Sequence, residues 1–192
     1  EADFTKHKAW MYNRRCLHLS STMRNTGKPV IGRINGLAVG GGNELNLLCD
    51  LAIASDRAYF AQAGARVASV PIWYCTQLLP RNIGERKAKE VVFLCKRYPA
   101  EEALRLGWIN RVVPHEQLDA AVEEWCKELL DKSPTALMLA KLNLNYESDQ
   151  MYGSVVQGFR MLNLGLHGTD EQREGMRAFL EKRKPDFSSF RW

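Results

Sequence analysis

One segment constrains the fold of this chain more than any other: Asn35-Gly36-Leu37-Ala38-Val39-Gly40-Gly41-Gly42-Asn43-Glu44-Leu45. Three successive glycines follow a β-rich run, Val30 to Ile34, and precede a Leu-rich stretch, Asn43 to Cys49. Glycine accepts backbone angles closed to other residues, so the pattern reads as buried strand, tight turn and buried helix. At the start of a helix the unpaired N–H groups and the positive end of the dipole point the same way. Such a turn binds an anion, or an oxyanion that forms during a reaction. Glu44 lies three residues past Gly41, in the first helical turn, within reach of whatever the turn holds. The competing reading is a turn needed only for strand–helix packing, with Glu44 as a favourable charge at a helix start. Spacing leaves both open. The glycines do not form G-x-G-x-x-G, and no Gly-Lys-Ser/Thr follows, so this is neither a dinucleotide fingerprint nor a phosphate loop.

The rest of the chain changes character near Pro99. Before it, Leu51 to Ala54 and Ala58 to Phe60 read as short strands around the Ser55-Asp56 turn, and Gly84 to Cys95 has helical spacing. Pro99-Ala100-Glu101-Glu102 opens a helix that Gly107 stops. From Pro114 nearly everything is helical. Leu118, Val122, Trp125 and Leu129 share one stripe, Ser133-Pro134 is an N-cap followed by Pro, and Thr169 to Gln172 is a capping box that starts a helix toward Lys182. The expected class is α/β, with a βα core over 1–113 and a helical region over 114–192.

With 192 residues and 45% apolar side chains, the chain can bury one core. Its net charge of +5 is mild, which suits an anionic small molecule and argues against a dedicated nucleic-acid surface. The five cysteines (Cys16, Cys49, Cys75, Cys95, Cys126) form no CxxC pair, which argues against a disulfide framework or zinc ribbon and for a reducing, cytoplasmic setting. No stretch approaches a membrane span, the four histidines lack metal-ligand spacing, and no membrane or metal partner is expected.

Several ordered motifs together resemble the crotonase (enoyl-CoA hydratase/isomerase) superfamily. They are Lys28-Pro29-Val30-Ile31, Asn35-Gly36, Gly40 to Leu45, Cys49-Asp50, Ala58-Tyr59-Phe60-Ala61-Gln62, Ala103 to Gly107 with Val112-Val113-Pro114, and Glu181 to Phe187. The resemblance implies a ββα spiral core of the ClpP-like type with a helical C-terminal oligomerisation region, assembled as a homotrimer or a hexamer. It implies an acyl-CoA substrate, with coenzyme A as part of the substrate and no tightly bound cofactor. The thioester oxygen would sit between two backbone N–H groups, of which Gly41 supplies the second, beside Gly40. Counting back from Gly41, the first donor and the CoA adenine loop fall just before residue 1. The N-terminal part of the usual fold is therefore expected to be missing from this sequence, and these residues alone would hold half of the oxyanion hole.

The resemblance also marks departures. Family hydratases use two glutamates. Glu44 matches the first, and the second falls on Gly64. The C-terminal half resembles the dihydroxynaphthoyl-CoA synthase and ketocyclohexane-carboxyl-CoA hydrolase branch, through Leu94 to Tyr98, Lys132 to Leu137 and the Lys-Arg-Lys-Pro-Asp-Phe ending. In those synthases a Gln-Thr-Gly holds bicarbonate. Gln62 and Gly64 match it, Ala63 replaces the Thr, and Ser69 matches a pocket serine. The catalytic aspartate falls on Pro71, the tryptophan on Val92, and a tyrosine lent by a neighbouring subunit on His167. Lys182 matches a residue that contacts CoA from a neighbouring subunit.

The expectation is an enzyme that stabilises a thioester enolate: water addition to an enoyl-CoA, or hydrolysis of a cyclic acyl-CoA, with Glu44 and Gly41 catalytic. Gly40, Gln62, Gly64, Ser69, Pro71 and Tyr74 are expected to line the acyl site, with Lys182 on CoA. Isomerisation, naphthoate-type carbon–carbon bond formation, and a degenerate homologue with a structural or RNA-binding role are the alternatives. Ile72-Trp73-Tyr74 would either reshape the acyl pocket or pack as core or subunit contact. Arg66 faces either site or solvent. Arg14-Arg15 and Arg183-Lys184 read as solvated helix positions, His115 and His167 as structural or exposed, and Cys49 as a buried helix residue rather than a nucleophile.

Overall fold

The computed structural model describes residues 2–191, with side chains from Lys8 onward. A long helix α1 (Ala2–Asn25) leads into β1 (Ile31–Ile34), β2 (Leu37–Val39) and α2 (Gly41–Leu48). The same order returns in β3 (Leu51–Ser55) and β4 (Tyr59–Ala61), followed by α3 (Cys75–Ile83) and α4 (Glu85–Leu94). Then come β5 (Tyr98–Pro99), α5 (Ala100–Arg105) and β6 (Arg111–Val113), and the helices α6 (Leu118–Leu130), α7 (Pro134–Asp149), α8 (Tyr152–Gly165) and α9 (Asp170–Leu180).

Each repeat gives one strand to each of two sheets. β1 and β3, the first strands of the two repeats, form a parallel sheet with β6, and the second strands, β2 and β4, form a sheet with β5, which runs antiparallel to β4. Ile31 pairs with Leu51, and Leu37 with Tyr59, both in parallel. This two-sheet ββα arrangement is the expected spiral core. Strand β3 has both faces covered and reads as a continuous apolar run. Its side chains alternate: Ala52 and Ala54 enter the main core with Leu47, Phe60 and Trp108, whereas Ile53 joins Leu118 and Ala121 of α6 on the other face.

The expected elements form within a residue or two of their predicted ends. Gly107 has φ +79° and ends the turn after α5. Ser133 Oγ accepts from Ala136 N at the start of α7, and Thr169 Oγ1 from Gln172 N at the start of α9. Helices α1, α3 and α8 and strand β2 lack a distinct sequence signal, because tertiary burial rather than local pattern fixes them. Two buried ties bind α7 to the core. Lys141 Nζ donates to Met23 O, Lys28 O and Asp50 Oδ2 (2.6, 2.9 and 2.7 Å). Arg24 Nε donates to Asp149 Oδ1 at 2.5 Å.

Helices α8 and α9 then fold over residues 64–74. A Cβ on Gly158 would lie 3.2 Å from Ile72, and one on Gly175 only 2.6 Å from the Val67 main chain. Small residues at these two points let the helices approach the loop closely.

Candidate active site

Helix α2 starts directly from the end of β2. Gly40 makes this corner with φ +55°, a left-handed angle that glycine adopts without strain, and its N–H pairs with Ala61 O. Gly41 is the first helical residue, so its N–H has no acceptor within the helix. Glu44 sits one turn on, at 8% exposure. Its Oε1 accepts the Trp73 main-chain N–H at 2.9 Å. Its Oε2 lies 4.0 Å from the point where Gly41 would carry a Cβ. One carboxylate oxygen is thus tied to the 70–74 loop, and the other flanks the glycine turn.

Burial pushes the Glu44 carboxyl up to about 7, against the opposite pull of the Trp73 N–H. A carboxyl near neutrality both takes and gives a proton at physiological pH.

These groups open on a cavity of about 560 Å³. Its floor holds Gly40, Gly41, Glu44, Gln62, Gly64, Ser69 and Pro71, so seven of the expected site residues come together. Gln62 is buried, with its Nε2 on Cys75 Sγ at 3.1 Å. Gly64 is enforced by its surroundings. Ser69 N donates to Gly64 O at 2.8 Å, and a Cβ at Gly64 would lie 2.6 Å from Ser69 O. The loop closes where a second carboxylate would need to enter.

Tyr74 is a correction. It lies outside the cavity lining, 2% exposed, with its ring under Arg24. The reason is its backbone: φ +63° turns the side chain at the start of α3 into the core. Ile72 and Trp73, by contrast, are buried in the core and also line the cavity. Lys182 follows α9 and does not line this cavity. Arg66 is exposed and donates to Cys95 O, which ties its turn to the end of α4. His115 Nδ1 meets Ser55 Oγ at 3.1 Å, a contact within the fold. Cys49 is half-buried just past α2, and burial pushes its thiol up to about 11, which removes it as a nucleophile at neutral pH. Arg14 and Arg15 are exposed on α1, as expected.

The wall was the part missed from sequence. Lys8, Tyr12 and Cys16 of α1 line it at four-residue spacing, one helical face that the sequence does display. Phe159 and Leu162 of α8, with His167 and Gln172 beyond it, close the opposite side. Gly168 N donates to Gln172 Oε1 at 2.7 Å, which leaves the Gln172 amide nitrogen, 3.4 Å from His167 Nδ1, as the donor to that ring. The Trp73 N–H carries no side-chain signal at all. Among the described residues no cluster of three His, Cys, Asp or Glu is placed to hold a metal ion, and no helix is long and apolar enough to cross a membrane.

Comparison with known proteins agrees with this geometry. The enoyl-CoA hydratase/isomerase family model matches residues 3–190. A solved enoyl-CoA hydratase from Mycobacterium avium subsp. paratuberculosis K-10 superposes with a TM-score of 0.88 at 26% identity, over 94% of this chain and 73% of that one. An enoyl-CoA hydratase/isomerase from Cupriavidus metallidurans CH34 is 35% identical over 93% of this chain and 68% of that one, with a TM-score of 0.69. The chain belongs to the enoyl-CoA hydratase/isomerase family.

Proposed function

We propose that the protein binds an acyl-CoA thioester with its carbonyl oxygen at the Gly41 N–H, and that Glu44 Oε2 moves the proton on the adjacent carbon. The observation that carries this reading is the one buried carboxyl among the described residues, raised to about 7, beside the start of α2. When Oε2 takes the proton, the C–H electron pair moves onto the carbonyl oxygen, and the Gly41 N–H and the α2 dipole stabilise the enolate. In water addition to an enoyl-CoA, the water oxygen bonds the β-carbon as its proton passes to the Glu44 carboxylate, the C=C electron pair moves into the enolate, and Glu44 returns that proton to the α-carbon. A ring-opening hydrolysis of a cyclic acyl-CoA uses the same enolate.

A second reading, isomerisation of the double bond, is favoured by Gly64. Moving a proton from the α- to the γ-carbon needs one carboxyl, and the closed turn at Gly64 leaves no place for another.

The reading extends to assembly. Leu130, Leu144, Leu164, Phe179 and Leu180 are each at least 70% exposed on the helical region, which supports packing of these faces in a trimer or hexamer. In such an assembly Lys182 would meet a CoA phosphate of the neighbouring subunit, a charge-assisted contact.

A panel of enoyl- and ketocyclohexane-carboxyl-CoA thioesters with product mass analysis tests the reading. A product heavier by one water supports hydration or hydrolysis, and an isobaric product supports isomerisation. Unchanged turnover in Glu44→Gln would remove Glu44 as the acid/base.

A further inference from the structure

The loop that supplies Glu44 with its N–H donor is bent at an unusual residue. Tyr74 is bulky, 2% exposed, and left-handed at φ +63°, ψ −7°. Side chains of this size rarely adopt that region, and such angles persist only where the surroundings over-determine them. Two sets of contacts do so. From the α3 side, Leu78 N and Gln77 N donate to Tyr74 O at 2.8 and 3.2 Å. From the other side, the Arg24 guanidinium lies over the Tyr74 ring, 5.3 Å from its centroid.

Arg24 is itself fixed. It is 4% exposed, and besides its bond to Asp149 its Nη2 donates to Ser148 Oγ at 2.5 Å and to Asn145 O at 3.3 Å. These partners hold the nitrogens of the guanidinium fork on α7, and its flat face covers the ring. Tyr74 N donates to Ile72 O at 2.9 Å, so the Tyr74 backbone closes the tight turn that contains Trp73 and fixes the carbonyl end of the Ile72–Trp73 peptide whose N–H meets Glu44.

We propose that Arg24 and Tyr74 are positioning residues: they clamp the left-handed turn so that the Trp73 N–H stays on Glu44 Oε1 and Oε2 alone faces Gly41 and the cavity. The clamp ties the site to α7, since Asp149, Ser148 and Asn145 set the angle of Arg24. This deepens the proposed function, and its catalytic consequence rests on Glu44 as the acid/base.

The test follows the Glu44 carboxyl directly, by infrared difference titration, with its band assigned by its loss in Glu44→Gln. Glu44 also faces Tyr12 and Cys16 of α1 and Cys75 of α3, all unchanged in every variant below. A hydrogen bond to the carboxylate lowers its proton affinity. Loosening the clamp therefore raises the midpoint. Arg24→Lys keeps the charge and loses the flat fork, and Tyr74→Gly keeps the left-handed turn without strain and loses the ring. Each is expected to raise proton affinity about threefold or more, consistent with partial loss of one such bond. Tyr74→Phe keeps the ring and is expected to titrate as wild type.

Wild-type midpoints in folded Arg24→Lys and in Tyr74→Gly would overturn the proposal. If Arg24→Lys does not fold, Tyr74→Gly decides alone. A shifted midpoint together with unchanged turnover in Glu44→Gln would leave the clamp standing and overturn only the catalytic role.

Discussion

Trp73 holds Glu44 through its main chain: the N–H meets Oε1 at 2.9 Å, and the same residue, 7% exposed, lines the cavity. The bond orients the carboxyl but does not offset its burial, and the net effect is a carboxyl near 7. Consequences for stability, sterics and packing follow from this arrangement and its supports.

The first concerns pH and stability. The folded Glu44 carboxyl binds its proton more tightly than the unfolded one, about 7 against 4.5. Its burial therefore costs nothing below 4.5, costs progressively more between 4.5 and 7, and is at its full penalty above 7. Glu44→Gln is expected to match wild type in denaturant unfolding below the lower value. Above the upper one it should be more stable, by about 3 kcal/mol. A constant difference across this range would contradict the burial argument.

Gly64 gives the second. Restoring the second glutamate of the family hydratases by Gly64→Glu puts a Cβ 2.6 Å from Ser69 O, a backbone atom that cannot step aside cheaply. The variant should lose roughly 1–3 kcal/mol of stability and gain no hydratase activity. A stable variant with increased water addition would show that the turn can open.

Gly175 provides the third, where α9 packs on Val67 of the cavity lining. Gly175→Ala places a methyl 2.6 Å from the Val67 main chain, so α9 must lift from the 64–70 loop. Faster amide exchange in α9 is expected, with a loss of about 1–3 kcal/mol. Gly153→Ala on α8 meets nothing within 4 Å and serves as the contrast, with a gain of up to about 1 kcal/mol.

The Asp50–Lys141 pair yields the fourth. Lys141 is 5% exposed and satisfies Asp50 together with the carbonyls of Met23, in the last turns of α1, and Lys28, in the segment between α1 and β1. Lys141→Met removes the ammonium from both carbonyls and leaves Asp50 with the Val30 N–H, and should cost about 1–3 kcal/mol in thermal or denaturant unfolding. A near-neutral effect would mean that water replaces the ammonium.

The glycine turn and Glu44 were legible in the sequence because glycine conformations and helix starts are local signals, whereas Gln62, Gly64, Ser69 and Pro71 were marked only by the family resemblance. Strands β1, β3 and β4 and helices α2 and α4 were legible from local pattern, whereas the ββα order came with the family resemblance, since the three residues of β2 carry no alternation of their own. Tyr74 was misread because its orientation depends on one backbone angle, which residue type does not announce. The α1 wall was present as the Lys8, Tyr12, Cys16 spacing, but only the packing of α1 on α2 turns that face toward Glu44. The Trp73 N–H was invisible for a physical reason: every residue except proline has one, and only the fold aims it.

The most direct measurement of the central claim is exchange of the α-hydrogen of a saturated acyl-CoA with solvent deuterium, followed by mass spectrometry. It isolates proton transfer at the thioester from the fate of the acyl group. The account predicts exchange by the wild-type protein and a fall of about 10²-fold or more in Glu44→Gln, the span of general acid–base catalysis. Exchange in Glu44→Gln at the wild-type rate, or none in either protein, would contradict it.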